Sequence, residues 1–210
     1  MPEISKPNRR ELTHDKIVDA AARAIRAAGC GGVGVAETMK QAGLTHGGFY
    51  AHFDSRDAML AEALLRAGQE SAAAMRLEVI ALQSGGVSAF RALVETYLSD
   101  RHITTPDDCC VVAMLLSELP RQSAAVRETS AVLINALLDA IRRVLPARVD
   151  QALAPMIASA MVGALQLARS LGNTPEGRKL LFGTRTSLIA QFDETLEAKP
   201  TNTRRKAATI

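Results

Sequence analysis

Apolar residues recur along this chain at three- and four-residue spacing from its first turns onward, as expected of helices that each bury one face. Ile17, Ala20, Ala21, Ala24, Ile25 and Ala28 form the first such stripe. Thr13 precedes it as a candidate cap, and Asp15 sits in the first turn, where the helix dipole favours a carboxylate. The run GCGGVG at 29–34 ends this helix. A second helix is predicted over 35–42, with Val35, Met39 and Ala42 on one stripe and Gly43 where a left-handed C-terminal residue is needed. Thr45 can cap a third helix over 45–53, and Ser55 with Asp57 opens a long fourth helix that reaches to about residue 82.

Gly and Pro punctuate the rest. QSGGVS at 83–88 breaks the fourth helix, a fifth is predicted over 87–98, and the polar loop SDRHITTPDD follows. Further helices are predicted over 109–119, 124–145, 149–171 and 176–197, about nine in all, with Pro155 either delaying or kinking the eighth. Residues 198–210, basic and poor in hydrophobic side chains, read as a disordered tail.

Composition agrees with an all-α fold. The 210 residues are 48% hydrophobic and 22% charged, rich in helix formers and without Trp, and they suffice for a substantial core. The N-terminal MPEISKPNRRELTHDK lacks the apolar stretch of a signal peptide, and no segment reaches about 18 consecutive apolar residues. The expectation is a soluble cytoplasmic protein with no membrane partner. Cys30, Cys109 and Cys110 do not form a disulfide framework or a zinc motif, so reduced thiols are expected. The net charge of +3 is too small to argue for nucleic acid, and residues 1–60 carry eight Lys and Arg against seven Asp and Glu. Any such argument has to rest on local placement.

That placement is found in AGLTHGGFYAHFDSRDAML at 42–60, which gathers Phe49, Tyr50 and Phe53 in a chain with five Phe and two Tyr. Two short helices joined by a Gly-containing turn, about 35–53, match a helix-turn-helix, whose second helix enters the major groove of DNA. At 100° per residue His46, Gly47, Tyr50 and Ala51 share one face, while Phe49 can pack inward with Leu44 and Phe53. Each interior Gly costs about 1 kcal/mol. A groove-facing helix gives a reason for Gly47 and Gly48, because a bare backbone can approach a duplex while Thr45, His46 and Tyr50 reach phosphates and base edges.

Other readings remain beside this one. His46 and His52 lie about 240° apart on a helix with no third ligand at suitable spacing, so neither a metal nor a cofactor is expected. No nucleophile elbow, phosphate-binding loop after a strand or metal motif is present, which argues against an enzyme. A helical protein-interaction module using the aromatic cluster stays open, as does a redox-responsive regulator using Cys109 and Cys110.

These residues, with the preceding VAETMKQ and HDKIVDAAARAIRAAG, resemble the DNA-binding domain of TetR/AcrR-type bacterial transcriptional regulators over about 12–60. The resemblance implies a three-helix DNA-binding domain over 11–60, then a larger helical ligand-binding and dimerisation domain over 61–197. It implies that Thr45, His46, Gly47 and Tyr50 face DNA and that His52 contacts phosphate. Gly34, Gly48 and Arg56 are expected to face DNA with them; Arg56 stands where the family usually has Lys, and Gly34 where it often has a phosphate-touching Ser or Thr. It also implies a homodimer built from the last two long helices. Their stripes are Leu153, Ile157, Ala160, Met161, Ala164, Leu165 and Ala168, and Leu181, Leu188 and Phe192. The implied function is a ligand-responsive repressor, bound to a palindromic double-stranded DNA operator and released by a small-molecule effector. Met75, Phe90, Tyr97, His102, Met114 and Glu118 are candidate pocket residues in the middle helices.

Overall fold

A computed structural model describes residues 8–105 and 109–193. Its helices are α1 (Arg9–Ala28), α2 (Val35–Gln41), α3 (Arg56–Ser84), α4 (Ala89–Tyr97), α5 (Arg101–Thr104), α6 (Val111–Leu115), α7 (Ala124–Val144), α8 (Ala154–Leu171) and α9 (Pro175–Phe192). Short 3-10 turns occupy His46–Ala51, Leu119–Arg121 and Gln151–Leu153. No strand occurs among the described residues.

The helices begin and end where local chemistry requires it. α1 starts earlier than expected: Asn8, not Thr13, caps it, accepting from the Glu11 amide at 3.0 Å while the Glu11 carboxylate accepts from the Asn8 amide at 2.8 Å. Thr13 is already inside the helix, with its hydroxyl on the Arg9 carbonyl. Ser55 caps α3 as expected, accepting from the Ala58 amide at 3.1 Å. The helix expected over 109–119 shrinks to α6, because Pro120 has no amide with which to continue the ladder and the chain tightens into a 3-10 turn. Pro155 delays α8 and does not kink it, since a proline in the first turn lacks only an amide that would have had no partner. The expected tail over 198–210 and the end of the last helix lie outside the described residues.

Two apolar clusters organise the packing. The first joins Ile17, Val18 and Ile25 of α1 to Met39, Phe49, Phe53, Met59, Leu60 and Leu64, and it also takes in Val111, Leu115, Leu119 and Val126. The N-terminal helices therefore share their core with α6 and α7. The second cluster is built on α4, α8 and α9 around Phe90, Tyr97, Ile157, Met161, Leu165, Leu181 and Phe192. Gln151–Leu171 is long and apolar enough to cross a membrane, yet eight residues of α8 are buried within this second core.

The stripes predicted for a dimer face mostly belong to that core. Ile157, Met161, Ala164, Leu165, Ala168, Leu181, Leu188 and Phe192 are buried inside one chain, and Leu153 and Ala160 are half-buried. The most continuous apolar stripe on a helix marks its most buried face, and here that face packs α8 against α9. The outward faces carry a second, sparser row: Met156, Leu167 and Leu171 on α8, and Phe182 on α9, all exposed.

Candidate nucleic-acid interface

The turn after α2 sets the geometry of the N-terminal surface. Gly43 adopts φ 75°, and the amides of Leu44 and Gly43 return to the carbonyls of Met39 and Lys40 at 2.8 and 3.0 Å. This closed helix end needs a residue without a Cβ penalty, as the sequence predicts. The chain leaves it extended at Thr45, which makes no side-chain cap, contrary to expectation.

The following element is a 3-10 turn, His46–Ala51, and not an α-helix. At about 120° per residue, positions three apart share a face. Phe49 faces inward, 1% exposed, and stacks on Phe53 with ring centroids 5.6 Å apart. Tyr50 meets the edge of Phe49 at 5.2 Å and is left 74% exposed. Thr45, His46, Gly47 and Ala51 are exposed beside it. Around Gly47 an added Cβ would meet nothing within 4 Å, whereas at Gly48 it would lie 3.6 Å from the Met39 side chain. Of the two glycines, only Gly47 presents bare backbone outward. Gly48 faces Met39, where a Cβ would make only an ordinary contact.

Two further residues hold the element from behind. The Arg10 guanidinium donates to the Ala51 carbonyl at 2.8 Å, so the first turn of α1 fastens the end of the 3-10 turn. His14 stacks on Phe53 at 4.5 Å and bonds Glu62 of α3 at 2.6 Å. Neither residue is marked by hydrophobic periodicity, although the NRRE capping box that orients Arg10 can be read from the sequence.

His52 and Arg56 differ from expectation. His52 is half-buried, and its Nδ1 has no hydrogen-bond partner among the described residues. Burial, with His14 and Arg10 nearby, pushes its pKa below the ordinary 6.5, so it is a neutral imidazole at pH 7 and not a cation for phosphate. Arg56 turns back into the protein: Nε donates to the Val33 carbonyl at 2.9 Å and Nη2 to the Cys30 carbonyl at 2.7 Å. The fork clamps the turn between α1 and α2, a bidentate grip on two carbonyls that the point charge of Lys could not reproduce. Gly34, at the N-cap of α2, is exposed and supplies no side-chain cap.

The expected pocket residues separate in the same way. Met75 and Tyr97 line a cavity between α3, α4, α6 and α7. Phe90 is core, edge-on to Phe192 at 6.0 Å. His102 is buried, with Nδ1–H donating to the Tyr97 carbonyl at 3.0 Å. Met114 packs against both apolar clusters. Glu118 points away from the cavity and accepts from the Cys30 amide at 2.9 Å, beside the Arg56 clamp. Among the described residues no three His, Cys, Asp or Glu side chains are grouped to hold a metal.

The sequence pattern named "Bacterial regulatory proteins, tetR family" matches residues 17–63, a span running from the buried face of α1 through the exposed 3-10 turn into α3. This N-terminal segment carries the TetR-family DNA-binding pattern. No curated protein matches it. A TetR transcriptional regulator from Chloroflexus aurantiacus is similar, with a TM-score of 0.67 and 20% identity over 87% of this chain and 96% of that one. The reduced form of E. coli NemR gives 0.68 and 17% over 86% and 97%. A TetR-family regulator from Cytophaga hutchinsonii gives 0.72 and 15% over 90% and 98%. At such identities the likeness is one of fold, and it extends over 86 to 90% of this chain.

Proposed function

We propose that this chain is a cytoplasmic TetR-family repressor that binds a palindromic operator as a homodimer and is released by a small-molecule effector. The observation that carries this reading is the exposed row Thr45, His46, Gly47 and Tyr50 on an element pinned from behind by Phe49, Phe53 and Arg10. Tyr50 is one of two tyrosines in the chain, and a 74% exposed aromatic with a polar tip suits a base edge or phosphate. Gly47 allows the backbone to approach, and Gly34 and Thr45 contribute backbone and hydroxyl contacts to phosphates.

The dimer is assigned to the outward faces of α8 and α9. Met156, Gly163, Leu167 and Leu171 recur at seven- and four-residue intervals along α8, and Gly163 and Gly183 have open space where a side chain would stand. Exposed apolar side chains beside bare backbone allow helices of a second copy to approach closely.

Effector control needs an element that both sites touch. α6 lines the cavity with Val111 and Val112, and it leads within a few residues to Glu118, which holds the Cys30 amide while Arg56 holds the Cys30 carbonyl. A ligand that displaces α6 thus acts on the turn that orients α2. A coupling of about 1 to 3 kcal/mol is sufficient. The redox alternative has less support: burial pushes the Cys109 thiol up to about 12, so it remains an inert thiol at neutral pH. To test the proposal, bound sites are selected from random duplex DNA. Recovery of an inverted repeat supports it, and recovery of no enriched sequence refutes it.

A further inference from the structure

The cavity that touches α6 encloses about 360 Å³, at the small end of the range for ligand sites. Its walls are mainly aliphatic, with Met75 and Val79 from α3, Leu93 from α4, Val112 from α6, and Leu133 and Leu137 from α7. Two kinds of polar group interrupt them. Tyr97 is fully buried in the wall, and its hydroxyl has no sound hydrogen bond among the described residues, with the Cys110 thiol, a weak partner, nearby. A buried hydroxyl left in this state favours any ligand that brings an acceptor to it. Burial also raises the phenol well above its ordinary pKa, so it remains a donor at any physiological pH.

Arg76 of α3 and Arg143 of α7 also line the cavity, and both residues are exposed, which places their charge at its edge. Among the described residues neither makes an ion pair, whereas the neighbouring Arg142 is paired with Asp139 and Arg101 with Glu78. Among the described residues no Asp or Glu lines the cavity. Every formal charge that the described residues place on its wall is therefore positive.

We propose that this cavity binds a small monocarboxylate with an apolar body. The carboxylate lies between Arg76 and Arg143, the body fills the aliphatic interior, and an ether or carbonyl oxygen accepts from the Tyr97 hydroxyl. A guanidinium on each side suits a planar carboxylate, and the apolar walls reject a polyanion such as a nucleotide. The inference deepens the effector-controlled reading of the same cavity by naming the class of effector. Such a ligand ties α3, which begins beside the 3-10 turn, to α7.

The test is calorimetric titration of the full chain without DNA, using para-methoxycinnamate and an octanoate whose ketone stands next to the terminal methyl. Each is compared with the corresponding alcohol, and para-methoxycinnamate also with cinnamate. The acids should bind about tenfold more tightly than the alcohols. Arg76→Ala with Arg143→Ala should remove that preference while leaving alcohol binding unchanged. Tyr97→Phe should remove the advantage of para-methoxycinnamate over cinnamate. Equal binding of acid and alcohol, unaltered acid binding by the double variant, or binding of neither acid would overturn the proposal. Because DNA is absent, a chain that binds the acid but no operator refutes only the regulatory reading. A chain that binds its operator but no acid refutes only this inference.

Discussion

Gly47 and Gly48 are adjacent, yet they face different surroundings, and substitution should separate their roles. Gly47→Leu projects a side chain into open space and should lower operator affinity by about tenfold without lowering the melting temperature. Gly48→Leu forces extra methyls against Met39 and should cost about 1 to 3 kcal/mol of stability in urea unfolding. The opposite assignment of effects would reverse the orientation given to the turn. His52 provides a second test at this scale. Its depressed pKa means that the unfolded chain binds a proton more readily than the folded one, so this contribution to stability is present above pH 6.5 and is lost as the pH falls through the folded value. Thermal melts from pH 7.5 to 5.5 should show a steeper loss for the wild-type protein than for His52→Gln. Parallel curves would mean that His52 titrates normally.

At the scale of elements, Arg56→Ala should cost about 2 kcal/mol in urea unfolding, because two carbonyls at the α1–α2 turn lose a charged donor while the far-UV spectrum stays helical. An unchanged midpoint would show that the clamp is dispensable. The sequence made the long helices readable, because Ser55, Gly43 and the prolines act locally and the apolar stripes of α1, α3, α7 and α8 run for several turns. It misplaced what tertiary contacts decide. The 3-10 geometry of His46–Ala51 carries no local sequence signal, although a 100° wheel already brings Phe49 and Phe53, four residues apart, to one side. Arg56 was expected at the duplex because its distance to the Cys30 and Val33 carbonyls becomes visible only after α1 and α2 have folded back. The stripes on α8 and α9 pointed to a partner, but an interior within the chain produces the same periodicity.

For the whole molecule, the proposed assembly depends on the sparse outer row of α8 and α9. Leu167→Glu places a charge on that row, where Leu167 is 59% exposed, and light scattering should then report a monomer while the melting temperature changes little. A dimer of unchanged affinity would locate the interface elsewhere. Dimerisation matters to the rest of the account because two recognition turns, one per half-site, multiply a modest contact into operator affinity. In the proposed mechanism, control acts on their separation through α6, Glu118 and the α1–α2 turn.

The central claim is that the face bearing Tyr50 binds DNA. Its most direct test is fluorescence anisotropy on the selected operator across a salt series, comparing the wild-type protein with Tyr50→Ala. The wild-type protein should bind with log K falling linearly in log salt, as phosphate counterions are released, and Tyr50→Ala should be weaker by about tenfold at every salt concentration. Equal affinity for the two proteins, or wild-type binding indifferent to salt, would contradict the account.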